Sequence, residues 1–140
     1  MNPLAAEWVA KAEADYQGAI ALQRRRKTPL PDLVCFHCQQ SAEKYLKAFL
    51  QHSATVFPKT HVLVDLMGLV RTVDPTLGTL QAQLVILEDY AVKFRYPGMN
   101  STPAQAKAAL QALRTVRREL RSRLGLSTAP RTQKRRQRRS

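Results

Sequence analysis

The side chains with the greatest chemical potential lie in one helical segment in the first half of the chain. On a wheel of about 100° per residue, its polar residues form one stripe: His37, Gln40, Lys44, Lys47 and Gln51. Lysines could hold a phosphate as point charges, while the imidazole and the amides could hydrogen-bond to a base edge. The alternative interpretation is a solvated helix face without function.

The opposite side of this helix is apolar and predicts a core-facing surface, formed by Cys35, Cys38, Ala42, Tyr45, Leu46 and Phe49. Two cysteines three positions apart on one helix face are poorly placed for a disulfide. No second pair of ligands completes a zinc site. We therefore expect both cysteines to be buried core residues.

Four residues outside this helix are also candidates for a site. Asp15 lies beside the apolar stripe of the first helix and could pair with Lys44 or Arg95, either as a structural ion pair or within a site. His61 could fix a loop or touch a ligand. Arg95 and Tyr96 could present a cation and a ring to a nucleotide, or pack a helix end.

The sequence offers no other familiar site chemistry. The three histidines are dispersed, and none has metal-ligand spacing with nearby acidic residues. A glycine-rich phosphate loop and a Gly-x-Ser-x-Gly turn are both missing. We therefore expect neither a metal nor a cofactor.

Hydrophobic periodicity predicts an all-α fold that positions these residues on five helices. The predicted helices cover about 3–26, 33–51, 62–74, 77–94 and 103–124. Asn2 and Asp32 are the expected N-caps of the first two helices, and Thr102 with Gln105 forms a capping-box pattern before the fifth. Gly125 is the expected end of that helix. A chain of 140 residues is suited to one such domain.

The net charge of +13 is concentrated at the C-terminus. The last ten residues contain no acidic side chain and these six basic ones: Arg131, Lys134, Arg135, Arg136, Arg138 and Arg139. Residues 1–125 are therefore predicted to form the bundle, and 126–140 a disordered basic tail. Such a tail would attract a nucleic-acid backbone, or it would only improve solubility. No signal peptide or membrane span is visible, so the expected location is the cytoplasm without membrane contact.

Four stretches carry a family resemblance. They are Trp8-x3-Ala12-x2-Asp15, the block Cys35-Phe36-His37-Cys38-Gln39-Gln40-Ser41-Ala42-Glu43-Lys44-Tyr45-Leu46-Lys47-Ala48, then Lys59-Thr60-His61-x4-Leu66, and Tyr90-Ala91-x3-Arg95-Tyr96-Pro97. In this order they resemble the motifs of the HEPN domain (higher eukaryote and prokaryote nucleotide-binding domain) in its bacterial stand-alone form. The resemblance implies an up-and-down bundle of four or five helices and frequent dimerisation. It also implies frequent operation beside a minimal nucleotidyltransferase in toxin–antitoxin or defence pairs.

The ribonuclease members of that family share an Arg, four to six residues, then a His, and this spacing is absent here. No histidine follows Arg95, and His37, His52 and His61 have no arginine at the required distance upstream. Lys47 precedes His52 at the shortest such spacing, but an ammonium group cannot replace the planar guanidinium fork.

The residues together with the resemblance favour a non-catalytic module that binds a nucleotide or RNA. The nucleotidyltransferase partner and the homodimer are what the resemblance implies. The module's predicted ligand contacts are His37, Gln40, Lys44, Lys47, Arg95 and Tyr96, with support from Asp15 and His61. Two alternatives remain open at this point: a toxin ribonuclease with a non-standard active site, and a purely structural dimerisation module.

Overall fold

A computed structural model describes residues 1–129 as a bundle of five α-helices. They are α1 (Pro3–Gln23), α2 (Pro31–His52), α3 (Leu63–Val73), α4 (Gln81–Lys93) and α5 (Pro103–Arg123), with a 3₁₀ helix at Pro75–Leu80 before α4. No strand occurs in this range, which confirms the all-α prediction. The predicted basic tail residues, Arg131 to Arg139, lie outside the described residues.

Helix α2 is the centre of the bundle and packs against each of the other four helices. Its predicted apolar face is buried as expected, including both cysteines. Because neighbours surround it on several sides, α2 also buries four polar residues: Gln39, Ser41, Glu43 and Lys47. The prediction that Lys47 shares a solvent-facing stripe with His37 and Lys44 is therefore wrong.

Small residues let α1 lie close to α2. Ala5, Ala12 and Ala19 are fully buried, and the Ser41 hydroxyl of α2 donates a 2.8 Å hydrogen bond to the Ala12 carbonyl of α1. As predicted, the Asn2 side chain caps α1, accepting from the Ala5 amide at 2.8 Å. The helix ends at Gln23, earlier than the predicted end near residue 26.

The start of α2 differs from the prediction. Pro31 is the first residue of the helix and Asp32 lies inside its first turn, so Asp32 is not the N-cap. Its carboxylate instead accepts hydrogen bonds from the backbone amide (2.8 Å) and the hydroxyl of Ser101, immediately before α5. This contact joins residues 69 positions apart, which a local capping rule cannot foresee. The predicted capping box of Thr102 and Gln105 is confirmed.

The predicted fourth helix divides into two elements. Its first turns, from Pro75 to Leu80, are 3₁₀, and α4 begins only at Gln81. Pro75 opens the 3₁₀ segment behind an Asp74 cap, and Gly78 lowers the local preference for α-helix. The leucine pattern is still used as predicted, because Leu77 and Leu80 are buried in the core. None of the helices in residues 1–129 is long and apolar enough to span a membrane.

Burial makes the two cysteines poor nucleophiles. It raises the pKa of the Cys35 thiol to about 11 and also raises that of Cys38, from an ordinary value of 9.0. At pH 8 the shift lowers the Cys35 thiolate fraction about a hundredfold, and the closed core excludes reagent as well. We expect an aromatic disulfide reagent to label both thiols more than about a hundredfold faster in guanidinium chloride than in native buffer. Rapid labelling of either thiol in native buffer would contradict this burial.

Candidate functional site

A carboxylate on α1 joins two of the predicted ligand-binding residues of α2. The two helices run antiparallel, so that Asp15 faces the middle of α2. One Asp15 carboxylate oxygen lies 2.9 Å from His37 Nδ1, and the other lies 2.5 Å from Lys44 Nζ. Of the two partners considered for Asp15, the structure supplies Lys44 and not Arg95. We call Asp15, His37 and Lys44 the Asp15 cluster.

The Asp15 cluster is largely buried at its carboxylate and more exposed at its imidazole and its ammonium group. The side chain of Asp15 is 13% exposed, whereas those of His37 and Lys44 are 31% and 23% exposed. Because Nδ1 of His37 is engaged by the carboxylate, Nε2 is the ring nitrogen left for a ligand. Gly18 of α1 borders the imidazole, and a Cβ atom there would lie 3.9 Å from the ring. The missing side chain leaves this edge of the ring uncovered.

Lys47 belongs to a separate and buried network. Its ammonium group donates to the Glu43 carboxylate at 3.1 Å and lies 5.3 Å from the centre of the Trp8 ring. Lys47 is 5% exposed and Glu43 is 3% exposed. The geometry thus gives Lys47 a role inside the bundle, since its side chain is almost completely withdrawn from the surface.

His61 anchors the segment before α3 to this network. Its Nδ1 atom lies 3.2 Å from the Glu43 carboxylate, and Gln39 donates to its backbone carbonyl at 3.3 Å. The ring is otherwise 81% exposed. Gln40 is half-buried and donates to the Gln39 side chain at 2.8 Å, which links the buried network to the surface. The contacts of His61 therefore favour the loop-fixing role over the ligand role.

Arg95 and Tyr96 follow the end of α4 and lie away from Asp15. Arg95 lines a shallow cavity of about 160 Å³ together with the rings of Phe36, Tyr90 and Phe94. Within residues 1–129 its guanidinium makes no ion pair and no side-chain hydrogen bond. Tyr96 is 65% exposed. The predicted ligand residues therefore fall into two groups, which Phe36 connects because its ring lies 5.5 Å from that of His37.

Comparison with known proteins decides the family. The family model of the HEPN domain matches residues 5–123, a range that begins in α1 and ends at the last residue of α5. The chain belongs to the HEPN domain family. The resemblance seen in the sequence motifs is confirmed, and with it the helical fold.

Searches of curated proteins and of solved structures returned no match. HEPN domains are associated with nucleotides or RNA and often form dimers. Membership thus supports a nucleotide- or RNA-related module.

This HEPN bundle also contains an ionic network that the sequence interpretation missed. Arg117 of α5 binds the Glu13 carboxylate through Nε at 3.0 and 3.1 Å and through its terminal nitrogen, and its guanidinium lies 4.6 Å from the centre of the Tyr16 ring. Arg121 donates to the Tyr45 hydroxyl at 3.2 Å and to Glu13 at 3.4 Å. The network ties α1, α2 and α5 together.

Arg117 stabilises the ionised form of the Glu13 carboxylate in this network. Burial acts to raise the pKa of Glu13, but the hydrogen bonds and charge of Arg117 outweigh it, so the pKa of Glu13 lies below its ordinary value of 4.5. Burial likewise raises the pKa of Tyr45, to about 12. One sequence signal could have revealed the network. Arg117 continues the three-to-four spacing of the core residues Leu110, Leu113 and Leu120, so an arginine there must point inward.

No group of three or more histidine, cysteine, aspartate or glutamate side chains in the described part of this HEPN domain could hold a metal ion. The Asp15 cluster itself offers hydrogen bonds and charge at His37 and Lys44.

Proposed function

We propose that this HEPN domain binds RNA, or a nucleotide, through its phosphate at the surface formed by His37, Gln40 and Lys44. We further propose that it acts as a homodimer beside a minimal nucleotidyltransferase, in a toxin–antitoxin or defence pair. The observation that carries the binding proposal is the Asp15 carboxylate, which holds His37 and Lys44 at once.

The Asp15 carboxylate orders the side chains of His37 and Lys44 before an anion binds. Lys44 gives one N–H to Asp15 and retains two further donors, while the imidazole can place Nε2 toward a phosphate oxygen. Less side-chain freedom is lost on binding because the carboxylate already orders both groups. An imidazole that donates Nδ1–H to Asp15 can, in its protonated form, also donate from Nε2 to a phosphate oxygen.

The wider surface supports the same ligand class. Six of the 23 lysines and arginines fall in the last ten residues, and the remainder still outnumber the ten acidic residues. Three of the ten acidic residues, Glu13, Asp15 and Glu43, are paired with cations within the bundle. An excess of positive charge attracts polyanions over a distance and makes their binding sensitive to salt.

The test is the affinity of the full chain for a labelled single-stranded RNA, measured by fluorescence anisotropy at several salt concentrations. Replacing Lys44 by methionine should weaken binding about tenfold and reduce the salt dependence by about one phosphate contact. Lys59→Met, in the exposed loop before α3, is the matched control for the loss of one positive charge. Equal effects of the two substitutions would remove the Asp15 cluster from the binding site.

A second candidate function is an RNA-cleaving enzyme with a non-standard site. It is favoured by the Asp15–His37 contact, since a carboxylate bound to Nδ1 orients an imidazole for general acid–base catalysis. Incubating the purified protein with total RNA separates the two functions. Cleavage that His37→Ala abolishes would establish the enzyme, and intact RNA in the presence of saturating protein would leave the binding module.

A further inference from the structure

A groove crosses the end of the bundle at which α2 begins. It consists of two adjoining cavities, of about 340 and 160 Å³, which share Asp32 and Leu33. The larger cavity lies between the turn before α2 and the residues before α5, with Pro29 and Ser101 among its walls. The smaller one lies between α2 and α4. The larger cavity alone reaches the lower size limit of typical small-molecule sites.

The smaller cavity is aromatic. Phe36 of α2 is 39% exposed, although it is a large apolar side chain. Across from it lie Tyr90 and Phe94 of α4, half-buried and tilted against each other with centroids 5.7 Å apart. Exposed rings beside cations form the usual platforms on which nucleobases stack.

The Asp32 carboxylate has one oxygen, Oδ2, that can still accept hydrogen bonds from a ligand in the groove. Its Oδ1 atom receives both hydrogen bonds from Ser101, which fix the orientation of the carboxylate. No donor from residues 1–129 is hydrogen-bonded to Oδ2. An ionised carboxylate only accepts hydrogen bonds, so this atom suits a ligand edge that carries N–H donors.

One cation lines the groove, and several others precede it in the chain. Arg95 lines the smaller cavity and has no ion-pair partner in the described residues. The turn that leads to Pro29 carries an exposed basic run, Arg24-Arg25-Arg26-Lys27. An apolar cavity with one acceptor and a lining cation matches the chemistry of a base with its phosphate.

The geometry points to a guanine-binding groove: we propose that Asp32 Oδ2 accepts from the Watson–Crick edge of guanine while Phe36 stacks on the base. Guanine places two adjacent donors, N1–H and the 2-amino group, on that edge. Adenine sets one amino group beside a ring acceptor that the carboxylate repels, and uracil sets its single N–H between two carbonyls. The inference rests on the proposed function, because the ring of Phe36 adjoins that of His37 and so extends the surface formed by His37, Gln40 and Lys44.

The experiment is isothermal titration calorimetry of the full chain with guanosine, adenosine and xanthosine 5′-monophosphates. The wild type should bind the guanosine nucleotide at least about tenfold more tightly than the adenosine nucleotide, since a hydrogen bond to a charged group contributes about that much. Asp32→Asn keeps Oδ1 for Ser101 but turns Oδ2 into an N–H donor. Xanthine carries a carbonyl where guanine carries the 2-amino group, so this variant should lose about tenfold toward guanosine and gain toward xanthosine.

Asp65→Asn, an exposed carboxylate on α3, is the control for the change in charge and should alter none of these affinities. Equal affinity of the wild type for the guanosine and adenosine nucleotides would overturn the groove, while loss of RNA binding in Lys44→Met would still support the phosphate surface. If instead the wild type preferred the guanosine nucleotide and Lys44→Met bound RNA as the wild type does, the groove would be retained. The surface formed by His37, Gln40 and Lys44 would then not be the phosphate site. Dissociation of a dimer by Phe36→Ala, with no nucleotide bound by the wild type, would make the groove an interface between copies and overturn the proposal.

Discussion

Replacing Arg117 with alanine should lower the free energy of unfolding by about 3 kcal/mol, because it leaves the partly buried Glu13 carboxylate with only its longer contact to Arg121. Arg117 is 6% exposed and binds Glu13 through Nε and one terminal nitrogen of its guanidinium. The substitution also removes the stacking of the guanidinium on Tyr16. Chemical denaturation followed by circular dichroism measures the change.

The neighbouring residue provides the control for this prediction. Arg118 lies on the same helix, its side chain is 61% exposed, and its contact with Glu119 is 4.0 Å long. Arg118→Ala should therefore change the free energy of unfolding by less than about 1 kcal/mol, as surface ion pairs do. A loss in Arg117→Ala no larger than that in Arg118→Ala would show that the network contributes no net stability.

The same pair makes stability depend on acid. Since the folded-state pKa of Glu13 lies below 4.5, its contribution is fully present above that pH and is lost as the pH falls through the folded-state value. In Arg117→Ala burial is opposed only by the smaller effects of Tyr45 and Arg121, so the pKa of Glu13 should rise. The difference in stability between wild type and variant should therefore shrink from about pH 6 to about pH 3.

Lys47→Ala is expected to be the second severe substitution, with a loss of about 3 kcal/mol in the free energy of unfolding. It leaves Glu43, at 3% exposure, with only the neutral amide of Gln39 and the exposed imidazole of His61. Removing both charges together, in Glu43→Leu with Lys47→Met, should cost much less, because no unpaired charge remains in the core. Thermal and urea unfolding of the three proteins measure the coupling energy.

Lys107→Ala is the matched control, because this lysine is exposed on α5 and makes no ion pair within residues 1–129; it should change stability by less than about 0.5 kcal/mol. RNA affinity adds a second readout. The double variant should bind RNA as the wild type does, whereas Lys44→Met should not. If the double variant lost as much stability as Lys47→Ala, buried charge would not be the cause.

The helices could be predicted because capping and hydrophobic spacing depend on residues that are close together in the sequence. The capping box of Thr102 and Gln105 and the leucine spacing from Leu77 to Leu87 each lie within one stretch of chain, and both were used as predicted. The exact start of α4 was not predicted. A 3₁₀ turn buries the same leucines as an α-helical turn, so the spacing cannot distinguish between them.

The site was predictable only in part, because its residues depend on partners far along the chain. A wheel placed His37, Lys44 and Lys47 on one stripe by residue type alone. The packing of α1 and the segment before α3 then divided the stripe, leaving His37 and Lys44 near the surface and covering Lys47 with Trp8. Asp32 was misassigned for the same reason, since its partner Ser101 lies 69 residues away.

The Glu13–Arg117 contact can form only late in translation. Its partners are 104 residues apart, so a ribosome adding about 5–20 residues per second makes Arg117 roughly 5–20 s after Glu13. During that interval α1 and α2 can pair as a nascent hairpin through Asp15, Ser41 and the alanines between them. The Glu13 carboxylate must stay hydrated until the last helix leaves the exit tunnel. Polypeptides truncated before α5 should therefore remain dependent on chaperones, because the charge that completes their core has not yet been synthesised.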